Sequence, residues 1–89
     1  MVDTRLLKYF ESIARNKNIT KAAQELHISQ PSLSKQMKVL EEELGCKLLE
    51  RSTREISLSE PGKVLYKHAV QILQQIENAA KEIEDVKEN

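Results

Sequence analysis

The chain has 89 residues, of which 39% are hydrophobic and 31% are charged, and its formal net charge at pH 7 is zero. This length suits one small domain, and the composition is typical of a helix-rich globular protein. The sequence has no apolar run near the ~18 residues of a membrane span, no signal-peptide core, and a single cysteine, Cys46, so we expect a cytoplasmic protein.

The charges are unevenly distributed along the chain. Residues 1–40 carry a net charge of +4, whereas residues 68–89 carry a net charge of −3. A basic first half and an acidic tail suit a polyanionic partner that contacts one end of the molecule only.

Two short helices are predicted in the first third of the chain. The first begins after Asp3, a good N-cap residue, and continues to about Arg15. Thr20 is the predicted N-cap of the second helix, which ends at His27. The first helix has an apolar stripe with helical spacing, formed by Leu6, Leu7, Phe10, Ile13 and Ala14.

A third helix and a hairpin follow. Ser29 caps the third helix, Pro31 lies in its first turn, and Gly45 occupies the position where a left-handed residue ends a helix. Residues 47–51 and 55–58 are short extended segments that predict a small hairpin. The apolar stripe of the third helix is Leu33, Met37, Leu40 and Leu44.

The last predicted helix is the longest, starting after the N-cap Ser59 and ending near Lys87. Its apolar residues alternate at spacings of four and three, which is the heptad pattern of a helix that pairs with another helix. We expect this seam to form a homodimer interface, with Val64 and Leu73 facing the domain core instead. The predicted interface residues are Leu65, Ala69, Ile72, Ile76, Ala79, Ile83 and Val86. The chain thus divides into a domain at residues 1–59 and a linker helix at residues 60–89.

The second and third helices, joined by a short turn, have the pattern of a helix-turn-helix. An ordinary helical hairpin would explain the apolar positions equally well. It would not explain the polar and basic amino end of the third helix, where no acid occurs before Glu41. In DNA-reading motifs this end of the helix contacts base edges, and glutamine, serine and lysine side chains suit such contacts. The exposed candidates are Gln30, Ser32, Ser34, Lys35 and Lys38.

The residues support other functions less well than DNA reading. Ser32 and Lys35 match the serine–lysine spacing of some acyl-enzymes, but companion motifs are absent, and we predict no catalytic residue. His27 and His68 lack further ligands at suitable spacing, so we predict no metal site, and Cys46 is expected to be a small buried side chain. A protein-docking module would need an apolar exposed face on the third helix, and a lone coiled coil would explain only residues 62–88.

Several strings resemble the N-terminal region of LysR-type transcriptional regulators, from about Leu6 to Leu73. They are Tyr9-Phe10, residues 22–26 (AAQEL), 29–36 (SQPSLSKQ), 40–45 (LEEELG) and 48–51 (LLER), and Pro61-Gly62. The resemblance implies a mainly α winged helix-turn-helix, with three helices and a two-stranded wing, followed by a long dimerisation linker helix. It also implies inverted-repeat operator DNA, tetramers of the full-length protein, and a small-molecule effector bound by a C-terminal domain outside this chain, with no cofactor in this domain.

The same resemblance implies roles for individual positions. The base-reading residues of the family correspond to Gln30, Pro31, Ser32, Ser34 and Lys35. The wing arginine that enters the minor groove corresponds to Arg54. Hydroxyl and basic groups near these positions are predicted to contact the DNA backbone or to bind DNA through the wing. They are Thr20, Lys21, Ser29, Lys38, Arg51, Thr53 and Arg54. For Arg51, a solvated surface charge is an equally good interpretation.

The sequence departs from the family pattern at two positions, Lys35 and Pro61, and from the generic helix-turn-helix at His27, a change that the family tolerates. Lys35 stands where arginine is frequent, and lysine lacks the planar fork that binds guanine in a bidentate manner. Pro61 replaces a small residue before Gly62, and His27 replaces the glycine of the generic turn. We therefore expect looser guanine recognition at Lys35, while Pro61 is compatible with a helix start.

Overall fold

The computed structural model describes residues 1–52 and 55–88. Within these residues, four helices and one antiparallel hairpin follow each other, which confirms the predicted mainly helical, winged architecture. The helices are α1 (Thr4–Asn16), α2 (Ile19–Leu26), α3 (Gln30–Leu44) and α4 (Glu60–Lys87), and the strands are β1 (Leu49–Arg51) and β2 (Ile56–Leu58).

Each helix begins at a side-chain cap. The carboxylate of Asp3 accepts a hydrogen bond from the Leu6 amide at 2.8 Å. The cap of α2 is Asn18, whose Oδ1 accepts from the Lys21 amide at 2.8 Å, and Thr20 lies inside the first turn. The prediction that Thr20 caps α2 is therefore wrong. The predicted caps Ser29 and Ser59 are confirmed.

The core lies around α1, which contacts α2, α3 and α4. Phe10 and Ile13 of α1 are completely buried, and they meet Leu33 and Leu40 of α3 and Leu48 ahead of β1. Each such side chain contributes about 1.5–3 kcal/mol through removal from water. The stripe of α3 is shorter than predicted because Leu44, at its end, is 42% exposed. Cys46 is a free, half-buried thiol packed against this core.

The hairpin is attached to the helical body at its base. Leu49 pairs with Leu58, and Arg51 with Ile56. The Glu41 carboxylate of α3 accepts hydrogen bonds from the amides of Leu48, at 2.7 Å, and Leu49, at 3.2 Å. Because one carboxylate binds two successive amides, the first strand is held in a fixed position relative to α3.

Helix α4 starts in close contact with the hairpin. A Cβ atom on Gly62 would lie 2.2 Å from the carbonyl oxygen of Leu48, so only glycine fits there without a shift. The Ser59 hydroxyl donates to the Lys47 carbonyl at 2.6 Å, and the Ser59 amide donates to the Leu48 carbonyl at 3.0 Å. These contacts fix the direction in which α4 leaves the domain.

The first half of α4 completes the core, and the second half extends away from it. Ala69 is completely buried and Leu65 packs against the core, so the predicted interface loses Ala69 and keeps Leu65 only in part. Val64, predicted to face the core, is 60% exposed, whereas Leu73 is half-buried. At ~1.5 Å per residue, the 28 residues of α4 span some 42 Å. Among the described residues, no helix is both long and apolar enough to cross a membrane.

Candidate nucleic-acid interface

The turn between α2 and α3 sets the angle between these helices. His27 adopts the left-handed conformation, with φ of 58°, and its amide donates to the carbonyls of Ala23 and Gln24. The Ile28 amide also donates to the Ala23 carbonyl, at 3.0 Å. Ala22 and Ala23 of α2 are buried, and their small side chains allow neighbouring helices to approach closely. The chain thus forms the tight turn without the glycine that is common there.

The amino end of α3 presents a polar and basic surface. Leu33, Met37 and Leu40 anchor the opposite face of the helix in the core. No acidic residue lies in the first turn. On the outer face, Gln30, Pro31, Ser32, Lys35 and Lys38 are exposed, and Ser34 is half-buried. The predicted base-reading residues therefore lie together at the surface, and neighbouring protein does not cover them.

Two side-chain hydrogen bonds already organise this surface. The Thr20 hydroxyl donates to Oε1 of Gln30 at 3.1 Å, linking α2 to α3. The Ser29 hydroxyl donates to Oγ of Ser32 at 2.9 Å and accepts from the Ser32 amide at 3.2 Å. Thr20 and Ser29 are exposed, as a phosphate contact would require, but their hydroxyls also have partners within the protein.

A charged cluster between α1 and α2 stabilises the arrangement of the helices. The Arg15 guanidinium binds Glu11, at 2.8 Å from Nε, and Glu25, at 3.0 Å from Nη1. The Ser12 hydroxyl donates to Glu25 as well. Hydrogen bonds from Arg15 and then from Ser12 lower the pKa of Glu25 to about 2 and, reciprocally, Glu25 and Glu11 raise the pKa of Arg15 above its usual value.

Within this cluster, both Glu11 and Glu25 are paired with Arg15. By contrast, the ammonium groups of Lys21, Lys35 and Lys38 form no ion pair with any of the residues that the structure describes. The positive charge at the amino end of α3 is therefore available to an external anion.

The hairpin lies beyond the turn that opens α2. The Ile56 amide of β2 donates to the Lys17 carbonyl at 3.3 Å, and Arg51 on β1 is exposed. A small depression at this junction is lined by residues from both parts, among them Asn18, Thr20, Arg51 and Glu55. The other two predicted wing contacts, Thr53 and Arg54, lie outside the described residues.

The second half of α4 leaves large apolar side chains in water. Ile72 is 41% exposed, Ile76 47%, Ile83 60% and Val86 73%, and Ala79 is also exposed. A shallow groove between α1 and α4, lined by Val70, Leu73 and Ile76, adjoins this row. Val70 was missed by the heptad pattern, since it lies one position away from the seam, yet it is 42% exposed.

The described residues hold no group of three His, Cys, Asp or Glu side chains that could bind a metal ion. Cys46 lies instead beside Lys38, Glu41 and Glu42 at a surface depression.

Comparison with known families gives one match over most of the chain. Residues 4–63 match the model of the bacterial regulatory helix-turn-helix proteins of the lysR family. The chain belongs to this LysR family. The resemblance inferred from the sequence strings is thereby confirmed, and the matched region contains every residue from α1 to the start of α4.

LysR-family relatives share about two fifths of the aligned residues with this chain. The HTH-type transcriptional regulator BsdA of Bacillus subtilis is 43% identical over 88 residues, covering 98% of this chain and 30% of BsdA. A probable cat1 operon transcriptional activator of Acinetobacter lwoffii is 42% identical over 76 residues, covering 85% of this chain and 25% of the activator. The chain thus spans a quarter to a third of the length of these two relatives, which are regulators of transcription and not enzymes.

Solved LysR-family structures match the whole fold. The DNA-binding domain of BenM, crystallised in complex with catB site 1 DNA, has a TM-score of 0.94 and 34% sequence identity, covering 99% of this chain and 98% of that chain. The corresponding domain of CbnR, also crystallised with DNA, has a TM-score of 0.86 and 38% identity, covering 96% of this chain and 98% of that chain. Both are similar to this LysR-family chain from α1 through α4.

Proposed function

We propose that the chain is the DNA-binding and dimerisation unit of a sequence-specific transcription regulator. The observation that carries this proposal is the exposed, basic and hydrogen-bonding amino end of α3, on a scaffold similar to that of the BenM domain crystallised with DNA. In helix-turn-helix proteins this end of the second helix enters the major groove and contacts base edges.

Base reading is assigned to the first turns of α3. Gln30 can pair with adenine through its amide, Lys35 can reach the O6 and N7 atoms of guanine, and Ser32 and Ser34 can donate or accept. Pro31 contributes an apolar contact surface beside them, since its side chain is exposed.

Most of the affinity for DNA is assigned to the basic and hydroxyl groups that surround residues 30–35. Lys21 and Lys38 carry unpaired charge, and Thr20 and Ser29 lie at the amino ends of α2 and α3, where helix dipoles favour phosphate. On the wing, Arg51 and Thr53 are proposed to contact the backbone, and Arg54 to enter the minor groove. Arg54→Ala should weaken binding most where A·T-rich flanking DNA narrows that groove.

The exposed row on α4 is proposed to bind a second copy of the chain. Ile72, Ile76, Ala79, Ile83 and Val86 form the centre of this interface, with Leu65 at its edge. A two-fold dimer would place two copies of α3 in successive major grooves, about 34–36 Å apart, on an inverted repeat. In the full-length protein, a C-terminal domain would bind a small effector, and dimers could pair into tetramers. A regulator of the bacterial chromosome would act in the cytoplasm.

The test is a comparison of specific and random duplexes. A selection of bound duplexes from a random library gives the preferred site, and binding of Gln30→Ala and Lys35→Ala variants is then measured on that site and on random DNA. Each change should cost about 1–3 kcal/mol on the preferred site and little on random DNA. Lys67→Ala, which removes an exposed charge from α4, is the matched control. Equal losses on both duplexes would show that Gln30 and Lys35 position the protein without reading bases.

A further inference from the structure

Helices α3 and α4 are joined by hydrogen bonds to one short stretch of backbone, Lys47, Leu48 and Leu49, hereafter the 47–49 segment. The amides of Leu48 and Leu49 donate to the carboxylate of Glu41 on α3, at 2.7 and 3.2 Å. The carbonyls of Lys47 and Leu48 accept from the hydroxyl and the amide of Ser59, the cap of α4, at 2.6 and 3.0 Å. The segment therefore binds α3 through its amides and α4 through its carbonyls.

The connection between the two helices has little room to adjust. The Leu48 side chain is 1% exposed and the Glu41 side chain 14%. On the side of α4, a Cβ atom on Gly62 would lie only 2.2 Å from the Leu48 carbonyl oxygen. The Glu41 carbonyl also accepts from the amides of Gly45, at 2.8 Å, and Cys46, at 3.2 Å. Glu41 thus binds four backbone amides of the chain that leaves α3, and this chain fits tightly against α4.

Helix α4 also packs against α1, but that contact restricts its angle less closely. Leu65 and Ala69 contribute to it with apolar side chains. Apolar packing is not directional, and packed helices can slide over each other by small amounts. Hydrogen bonds weaken steeply when their geometry changes. The bonds of the 47–49 segment are therefore the contacts that oppose a change in the angle between α3 and α4.

In a dimer paired through α4, this angle determines where each α3 lies relative to the two-fold axis. Ile76, in the proposed interface, lies ~21 Å along the helix from Gly62. A tilt of about 10° at the start of α4 would therefore displace the interface by ~4 Å. On DNA, one additional base pair between two half-sites moves the second half-site by ~3.4 Å and rotates it by about 34°. The two displacements are of the same size, so the angle and the spacing of the half-sites are linked.

We propose that Glu41 and Ser59 are specificity-determining residues that act through the 47–49 segment: by fixing the angle between α3 and α4, they restrict the dimer to one spacing between half-sites. Both are positioning residues, because this role requires neither of them to touch DNA. The inference rests on the proposed function, since it requires a dimer whose two copies of α3 bind an inverted repeat.

The experiment measures binding of the 89-residue chain to inverted repeats that differ only in spacing. Selection from a random library gives the preferred half-site and spacing, and duplexes are then made with one or two base pairs added or removed between the half-sites. Dissociation constants are measured for the unsubstituted chain, Glu41→Gln and Ser59→Ala. Glu42→Gln is the matched control, because Glu42 is the exposed neighbour of Glu41 on α3 and the substitution removes the same charge.

The readout is the spacing profile, defined as the ratio of the dissociation constant on each altered duplex to that on the preferred duplex. A change in stability, in dimerisation or in net charge affects all duplexes alike and leaves these ratios unchanged. In Glu41→Gln and Ser59→Ala the ratios should fall by roughly 2- to 10-fold, the range that one net hydrogen bond contributes. The bases preferred within each half-site should stay the same, and Glu42→Gln should keep the profile of the unsubstituted chain.

Ser59 also caps α4, so circular dichroism is used to show whether Ser59→Ala is folded. Glu41→Gln leaves that cap in place and decides the question if Ser59→Ala is not folded.

Two results would overturn the inference while leaving the proposed function in place. One is a Glu41→Gln profile equal to that of the unsubstituted chain, and the other is an unsubstituted chain that binds all spacings equally well. Failure of the proposed function has a different signature, because the selection would then enrich no inverted repeat, and that result would refute both.

Discussion

Replacing Gly62 with alanine has two opposite effects on stability, one through helix propensity and the other through tertiary packing. Gly62 lies in the first turn of α4 and has an ordinary helical conformation, so alanine on its own would favour the helix by about 1 kcal/mol. The structure opposes this gain, because the new Cβ would lie 2.2 Å from the Leu48 carbonyl oxygen and 3.1 Å from its carbon. The neighbour is backbone, which cannot rotate away as a flexible side chain would.

The expected loss of stability follows from the displacement that the new Cβ atom would force on α4 and on the segment before β1. A real Cβ atom essentially never lies closer than 3.0 Å to a non-bonded heavy atom. Helix α4 and the segment before β1 must therefore move apart by about 1 Å. Overpacking of this kind costs about 1–3 kcal/mol. The shift also strains the hydrogen bonds from Ser59 to the Leu48 and Lys47 carbonyls, each of which contributes about 1 kcal/mol. After the gain in propensity, we expect Gly62→Ala to lower the free energy of unfolding by about 2–3 kcal/mol.

Urea unfolding followed by circular dichroism measures this change. Both proteins are compared at one concentration, because self-association would stabilise the folded chain in a concentration-dependent way. For a domain of this size the thermal midpoint should fall by about 10–20 °C. Lys67→Ala, an exposed change on the same helix, should stay within about 0.5 kcal/mol. An unchanged or more stable Gly62→Ala protein would refute the argument from the Leu48 contact.

Three further predictions concern other parts of the molecule. Ile76→Glu places a charge on a 47% exposed apolar position and should shift the chain from dimer to monomer in sedimentation velocity, whereas His68→Glu should not. Because the pKa of Glu25 is lowered to about 2, its bond to Arg15 stabilises the fold above the ordinary pKa of 4.5 and is lost as the pH falls towards 2. The stability difference between the unsubstituted chain and Glu25→Gln in urea unfolding should therefore shrink over this range, and a constant difference would contradict the assignment. Glu41→Gln replaces the charge-assisted bonds to Leu48 and Leu49 with weaker ones, at a cost of about 1 kcal/mol, and should speed hydrogen exchange of these two amides more than that of the α1 amides.

The sequence predicted the order of the elements because their signals are local. Caps at Asp3, Ser29 and Ser59, the glycine at position 45 and the helical spacing of the apolar residues each depend on a few neighbours only. The cap of α2 was assigned to the wrong residue because Asn18 and Thr20 are both good caps. The choice depends on the left-handed conformation of Lys17, which ends α1 and brings Asn18 into position.

The face of α4 could not be predicted from the heptad pattern alone. The pattern marks the apolar positions but does not show which of them lie beside the domain and which lie beyond its end. Ala69 is buried in the core of its own chain, whereas Ile83 lies in the half of α4 that extends away from the domain and is exposed to solvent. Val64 lies off the seam and is therefore expected to face the core, but its side chain is 60% exposed.

The exposure of the candidate site residues could be predicted from the sequence, but the hydrogen bonds between them could not. Residues 30–35 follow the cap Ser29, and their polar character indicated an exposed face. The bond between Thr20 and Gln30 joins residues from two helices, and its existence depends on the crossing angle that His27 and the small residue Ala23 allow. No spacing rule within one helix reports such an angle.

Binding of a second copy through the row of isoleucines on α4, as proposed above, would make the behaviour of this chain depend on its own abundance. If pairing of two copies is required before an operator is filled, occupancy at low levels rises with the square of the number of chains, by mass action. A modest change in expression would then produce a larger change at the promoter. Thus Ile72, Ile76 and Ile83, which lie far from the proposed base-reading residues, would determine how steeply operator occupancy depends on the concentration of the chain.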